Sequence, residues 1–352
     1  MFKILRLIRT EEWVALVSAG VVTLINIIFY GGTFSVGNTA FTMFKYFSFG
    51  TPFFEVFFFF IWGFCFWKLY FWLVRVLQDI FIKHKEVSLK ERAWQFLADI
   101  LVSLRTFIPF VVVSIAFYQL LDNLSYQLRF SGADMLLAGW DEKIFSVYPF
   151  VWLSNAFDYD WLNRPLFYIY IYISVILSGT FIMLFLFSRD FLFRRAVLAF
   201  IAVLIISFPV FYFLPCQDPS NYFLRNIRGY SFSTETSSML KDYAPNALTA
   251  GYISQIAEAE TNVSRDNAVP ISCFPSMHAA WSFLIVYFLA KLRRWSLFLS
   301  LPWLALLLLS GIYFAQHYAV DYLIVLPIVV ISLFLANLLI KQRSMAVDNI
   351  SI

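Results

Sequence analysis

The 352-residue sequence holds only three histidines, and two of them sit beside groups with which they could do chemistry. His317 lies in SGIYFAQHYAVDYL (Ser310 to Leu323), four residues before Asp321. On a helix, positions i and i+4 share a face, so the carboxylate can accept a proton from one imidazole nitrogen. That contact fixes the tautomer and leaves the other nitrogen nucleophilic. His278 lies in CFPSMHAAW. Pro275 suits the first turn of a helix, the amides beyond it can bind an anionic oxygen, and Ser276 can add a hydroxyl donor. His278, just inside that helix, can protonate a leaving alkoxide as general acid. A nucleophile with an orienting carboxylate, an anion-binding helix start and an acid describe phosphoryl transfer through a phosphohistidine. Taken alone, the His317–Asp321 pair could equally be a hydrogen-bonded packing contact, so the elements that carry both motifs decide the reading.

Those elements are apolar. The chain is 61% hydrophobic and 21% aromatic, with 14% charged residues and a mean hydropathy of +0.75. Soluble domains carry roughly 25% charged residues, and runs of about 20 apolar residues are long enough to cross a bilayer as helices. The pattern predicts an all-α polytopic membrane bundle. It has about eight transmembrane helices, near 13–33, 52–76, 97–120, 166–187, 196–214, 275–290, 296–316 and 318–340. The basic residues before the first run lead into it without a small-residue cleavage site, as in a retained span.

The connecting segments divide into two sets, one with sixteen lysines and arginines and the other with eight. The richer set marks the cytoplasmic side, so both termini are expected there. The long loops 121–165 and 215–274 then face the extracytoplasmic side, periplasmic or lumenal, together with His278, His317 and Asp321. Topology alone brings the two histidines to one face. The net charge of +4 follows this topology and is no signal for nucleic acid.

PSMH, 31 intervening residues and SGIYFAQHYAVD resemble the second and third motifs of the type-2 phosphatidic acid phosphatase superfamily, P-S-G-H and S-R-x5-H-x3-D. The resemblance implies a six-helix catalytic core. It also implies His317 as nucleophile, Asp321 as its orienter, His278 as general acid and Ser276 as phosphate donor, with no cofactor and no metal. Met277 stands where the motif has Gly, and Gly311 where it has Arg. These departures, with the aromatic HYAVD, resemble the inositol phosphorylceramide synthase branch, as does the outer segment LLAGWDEKIFSVYPFVWL. The superfamily's first motif, K-x6-R-P, is missing. Arg225 and Arg228, in FLPCQDPSNYFLRNIRG, are the candidates to clamp phosphate oxygens in its place, since guanidinium suits bidentate phosphate recognition. The expected organisation is two N-terminal spans and a cytoplasmic connector (1–96), the six-helix core (97–340) and a cytoplasmic tail (341–352).

Other features are weighed against simpler readings. Cys216 and Cys273 flank the second outer loop, where an oxidising compartment would let them form a disulfide. Ser88 and Glu91 are spaced as a capping box in the connector, beside a solvated His84. Lys68, Asp99 and Arg105 fall inside spans, where snorkelling or ion pairing is expected. The functional expectation is a lipid phosphotransferase that moves a phosphoryl-headgroup from a membrane lipid to a small polyol or lipid alcohol. A lipid phosphate or pyrophosphate phosphatase using water is the near alternative. A transporter is a distant one, lacking the internal repeat that such folds show.

Overall fold

Without water nearby, an apolar run can satisfy its own backbone polar groups only by forming a helix or a closed barrel. The structure, a computed structural model, describes residues 9–30, 66, 69–82, 88, 90–98, parts of 105–120, 133–224 except 158 and 189, 234, 237–238, 249–256 and 273–340. Among the described residues the regular elements are helices: α1 (Thr10–Tyr30), α2 (Ala133–Phe145), α3 (Pro149–Ala156), α4 (Asp160–Ile171), α5 (Ile173–Phe187), α6 (Asp190–Phe213), α7 (Met277–Leu292), α8 (Leu297–Tyr313) and α9 (Ala319–Leu339).

Among the described residues, four stretches are long and apolar enough to cross a membrane: Thr10–Ile28, Phe191–Phe213, Arg294–Tyr313 and Ala319–Leu339. The bent pair α4 and α5 makes a fifth if counted as one span. The helix at 166–187 is therefore two helices meeting at Tyr172, with α4 packed on α8 and α5 on α7. The predicted span 275–290 is the 16-residue α7. Predicted spans 52–76 and 97–120 fall largely outside the described residues, as do the tail 341–352, Lys68, His84 and Asp99. Ser88 does cap the connector helix, its Oγ accepting the Glu91 N–H at 3.4 Å.

The main core lies between α1, α5, α6, α7 and α9, with Leu198, Phe200, Leu284 and Phe288 at 2% exposure or less. The outward faces are just as apolar. Phe298, Leu299, Val330 and Phe334 are exposed, a surface suited to lipid chains rather than water. With these spans and apolar faces, the chain is an integral membrane protein.

The two ends of the bundle differ. At the end where α1 and α6 begin, the Arg194 guanidinium donates two bonds to Glu11 (2.6 and 2.9 Å). Arg105 pairs with Glu12, which makes it a partner in a structural ion pair. Arg195 donates to the Ile340 carbonyl at 2.9 Å, holding α6 to the end of α9. At the opposite end, the outer segment expected as loop 121–165 contains α2 and α3. A second core cluster joins Leu137, Phe150, Tyr222, Phe223, Phe274 and Tyr318 there. This cap covers the end of the bundle at which His278 and His317 lie.

Candidate active site

The end of α8 determines where His317 stands. The Gln316 N–H donates to the Gly311 carbonyl (2.8 Å) and the Ala315 N–H to that of Ile312 (2.9 Å). Ala315 takes φ 55°, the left-handed residue that this kind of helix ending requires. His317 follows in the turn, its N–H also on the Gly311 carbonyl at 3.1 Å. Tyr318 then caps α9 in extended backbone, and Asp321 lies in the first turn of α9. His317 and Asp321 therefore do not share one helix face, as the spacing predicts. A turn followed by a helix start brings them together instead, with His317 Nδ1 3.2 Å from Asp321 Oδ2.

Asp321 also reaches the other motif. Its Oδ1 accepts the Ser276 N–H at 2.8 Å, so one carboxylate ties the imidazole to the start of α7. Ser276 is the N-cap of α7, its Oγ accepting the Ala279 N–H at 3.1 Å. Pro275 precedes this cap rather than sitting in the first helical turn, and the Phe274–Pro275 peptide is cis. The Ser276 Oγ lies 3.1 Å from His317 Nε2. In the neutral ring with Nδ1–H donated to Asp321, Nε2 carries the lone pair and faces the serine hydroxyl.

His278, in the first turn of α7, completes the arrangement from the side. Its ring is 5.7 Å from that of His317, centroid to centroid. Tyr170, near the end of α4, stacks on His278 at 4.8 Å and 24°, and its hydroxyl lies 3.4 Å from His317 Nε2. Two imidazoles this close are chemically able to divide the work of phosphoryl transfer, one ring nitrogen attacking a phosphorus while the other serves the departing oxygen. His317 is 4% exposed. Burial works against its cation, but the hydrogen bond to Asp321 and the Cys273 sulfur outweigh burial and raise its pKa above the ordinary value.

A second acid, Asp141, supports the pair from α2. Its carboxylate accepts the N–H groups of Ala319 (2.9 Å) and Val320 (2.8 Å), the first two amides of α9. Helix-start amides suit a carboxylate partner. Asp141 is 2% exposed. Burial raises its pKa to about 6 against the two N–H bonds that lower it, and the Asp321 charge adds to the rise. Asp134 does similar work one step away, accepting the Gln217 N–H at 2.7 Å and the Cys216 thiol at 3.3 Å.

Cys216 and Cys273 do come together, the Cys273 N–H donating to the Cys216 carbonyl at 3.3 Å. Both are buried free thiols in this structure. Cys216 faces Asp134 and the Gln217 carbonyl, and Cys273 faces the Gln316 carbonyl at 3.4 Å. Cys273 Sγ, His317 Nδ1 and the Asp321 carboxylate lie within 4.8 Å of one another and could present three ligands to a cation. Such an ion would displace the proton that Asp321 accepts.

Structure thus gathers His317, Asp321, His278 and Ser276 at one site. Arg225 and Arg228 lie outside the described residues. What stands at Gly311, the arginine position of the motif, is informative. A Cβ there would overlap the Tyr322 hydroxyl and come within 3.2 Å of His317 Cδ2 and 3.5 Å of Tyr170 Cε2. Sequence reasoning assigned no role to Tyr170, Tyr322, Asp134 or Asp141. Only Asp141 carried a local signal, the Trp-Asp pair inside LLAGWDEKIFSVYPFVWL.

The profile described as the PAP2 superfamily matches residues 137–335, more than half of the chain. The chain belongs to that superfamily and is an enzyme of its phosphatase or phosphotransferase type. Comparisons with curated proteins and with solved structures found no match.

Proposed function

We propose that the protein is a membrane lipid phosphotransferase working at the extracytoplasmic face, with both termini in the cytoplasm. His317 Nε2 attacks the phosphorus of a lipid phosphoester. As the N–P bond forms, the bond to the lipid alcohol breaks, and His278 gives its proton to the departing oxygen. His278, now a base, takes the proton of an incoming polyol or lipid alcohol, whose oxygen displaces His317 and carries away the phosphoryl-headgroup. Asp321 holds the Nδ1 proton throughout and stabilises the charge that develops on the ring. The same steps with water as acceptor give hydrolysis. Burial of His317 beneath Tyr170, Ser276 and the cap cluster favours an organic acceptor, which can exclude water from the phosphohistidine.

The observation that carries this reading is the joint hold of Asp321 on His317 Nδ1 and the Ser276 N–H, which leaves Nε2 to the Ser276 and Tyr170 hydroxyls with the second imidazole ring 5.7 Å away. The test incubates purified protein with headgroup-labelled phospholipids and lipid pyrophosphates, with and without ceramide, inositol or sugar acceptors. Acceptor-dependent movement of label into a new phosphoester is expected, with an acid-labile labelled protein on quenching. His317→Ala should abolish both. Full activity in that variant would overturn the mechanism, and label released only as a free headgroup phosphate would assign hydrolysis.

A further inference from the structure

Tyr322 is held in an unusual position for a half-buried tyrosine on an apolar helix. It follows Asp321 in the first turn of α9, and its ring lies 5.9 Å from the His317 ring, centroid to centroid. Its hydroxyl comes so near the Cα of Gly311 that any side chain there would collide with it. A Cβ at Gly311 would also lie 3.2 Å from His317 Cδ2, the carbon bonded to Nε2, and 3.5 Å from the Tyr170 ring. The space that a side chain at Gly311 would fill is therefore bordered by the Tyr322 hydroxyl, the Cδ2 edge of His317 and the Tyr170 ring.

That hydroxyl has no hydrogen-bond partner among the described residues. Phenylalanine would fill the same space, so packing alone does not account for the hydroxyl. The neighbouring polar groups are already engaged: Ser276 Oγ with the Ala279 N–H and His317, and Tyr170 with His317. Donors aimed where charge develops are the strongest single aid to such a reaction.

We propose that Tyr322 is a catalytic residue, its phenol donating a hydrogen bond to a non-bridging oxygen of the phosphorus under attack. The phenol keeps its proton. The N–P bond forms at His317, the P–O bond to the leaving alcohol breaks, and His278 alone supplies the proton that leaves with it. A neutral donor of this kind matches the single negative charge of a phosphodiester, the donor class that headgroup transfer requires. This assignment rests on the phosphotransferase reading above.

The test uses the full-length protein in detergent or lipid nanodiscs with the phospholipid donor that the transfer assay identifies. Tyr322→Phe removes one oxygen and should lower kcat by roughly 10²-fold, the usual effect of losing one such donor, with KM little changed. A packing role would not respond to the donor's own atoms, so the second readout replaces one non-bridging oxygen by sulfur, a poor acceptor. One phosphorothioate diastereomer should react slowly with the wild-type protein and lose that penalty with Tyr322→Phe. Gly311→Ala, which pushes the hydroxyl aside, should lower kcat in the wild-type background and cost little more in Tyr322→Phe. Wild-type kcat in Tyr322→Phe, or an undiminished thio effect, overturns the assignment while the phosphotransferase reading stands. Activity surviving in His317→Ala overturns that reading itself.

Discussion

At one end of the bundle, the Glu11 carboxylate receives both arms of the Arg194 guanidinium; at the other, Asp321 receives an imidazole N–H and a backbone N–H. Both acids are buried, and both link elements far apart in the chain. The partners make the difference. A guanidinium is permanently charged and spends its donors on the carboxylate, so the first end is a closed ion pair that holds α1 to α6. An imidazole gives one nitrogen to its acid and keeps the other for chemistry. The same kind of contact is a fastening at one end and, at the other, leaves an imidazole nitrogen over for the proposed chemistry.

The sharpest way to break this contrast is Asp321→Asn. The amide cannot accept the Nδ1 proton while also keeping the geometry of the ionised pair, and the wrong tautomer of His317 follows. Activity should fall by roughly 10³-fold or more, as in other imidazole–carboxylate pairs. The residual activity should also shift in pH. Asp321 stabilises the His317 cation and raises its pKa, so the wild-type rate climbs with pH only as that raised pKa is approached. Without the carboxylate the pKa falls and the climb should move to lower pH. A pH–rate profile in which the limb stays in place would detach Asp321 from His317.

Much of the site was legible beforehand because its chemistry is local in sequence. PSMH and the His317–Asp321 spacing named the groups that the structure gathers, and the distribution of lysine and arginine predicted them together at one face. The i, i+4 argument reached the correct contact by an incorrect route, since the left-handed Ala315 just past α8 puts His317 in a turn and not on a helix. What sequence could not supply were contacts between distant segments. Asp141 lies 178 residues before the Ala319 amide that it accepts, and Tyr170 lies 147 before His317. No periodicity or spacing marks such pairs. Tyr322 was hidden for a different reason: beside Asp321 on an apolar helix, it reads as a lipid-facing aromatic until Gly311 shows what its hydroxyl approaches.

The fastening end should answer to stability and not to chemistry. Glu11→Gln leaves Arg194 with a neutral partner in a buried setting, and breaking such a pair costs about 3–5 kcal/mol. Thermal unfolding in detergent should shift down markedly, while kcat per folded molecule stays at the wild-type level. Glu12→Gln touches a pair whose arginine is 44% exposed, and about 1 kcal/mol or less is expected there. Equal losses from the two variants, or a fall in kcat with either, would erase the distinction between the ends.

Asp141 tests the contrast from within the catalytic end, because it fastens and is also titratable. Its folded pKa is raised to about 6 by burial, above the roughly 3.9 of an unfolded aspartate. A raised folded pKa means that the native chain binds this proton more tightly than the unfolded chain. The contribution to stability is therefore full below about pH 4 and lost as pH rises through about 6, amounting to no more than about 3 kcal/mol. Asp141→Asn cannot titrate, and its melting temperature should vary less with pH across that window than that of the wild type. Identical slopes would assign the titration to another acid of the cap, such as Asp218, whose pKa burial also raises. Since Asp141 accepts the first amides of α9, one turn from Asp321, protonating it withdraws a charge from the helix start that carries the orienting acid. The fastening and the proposed chemistry at this end are thereby coupled through one proton.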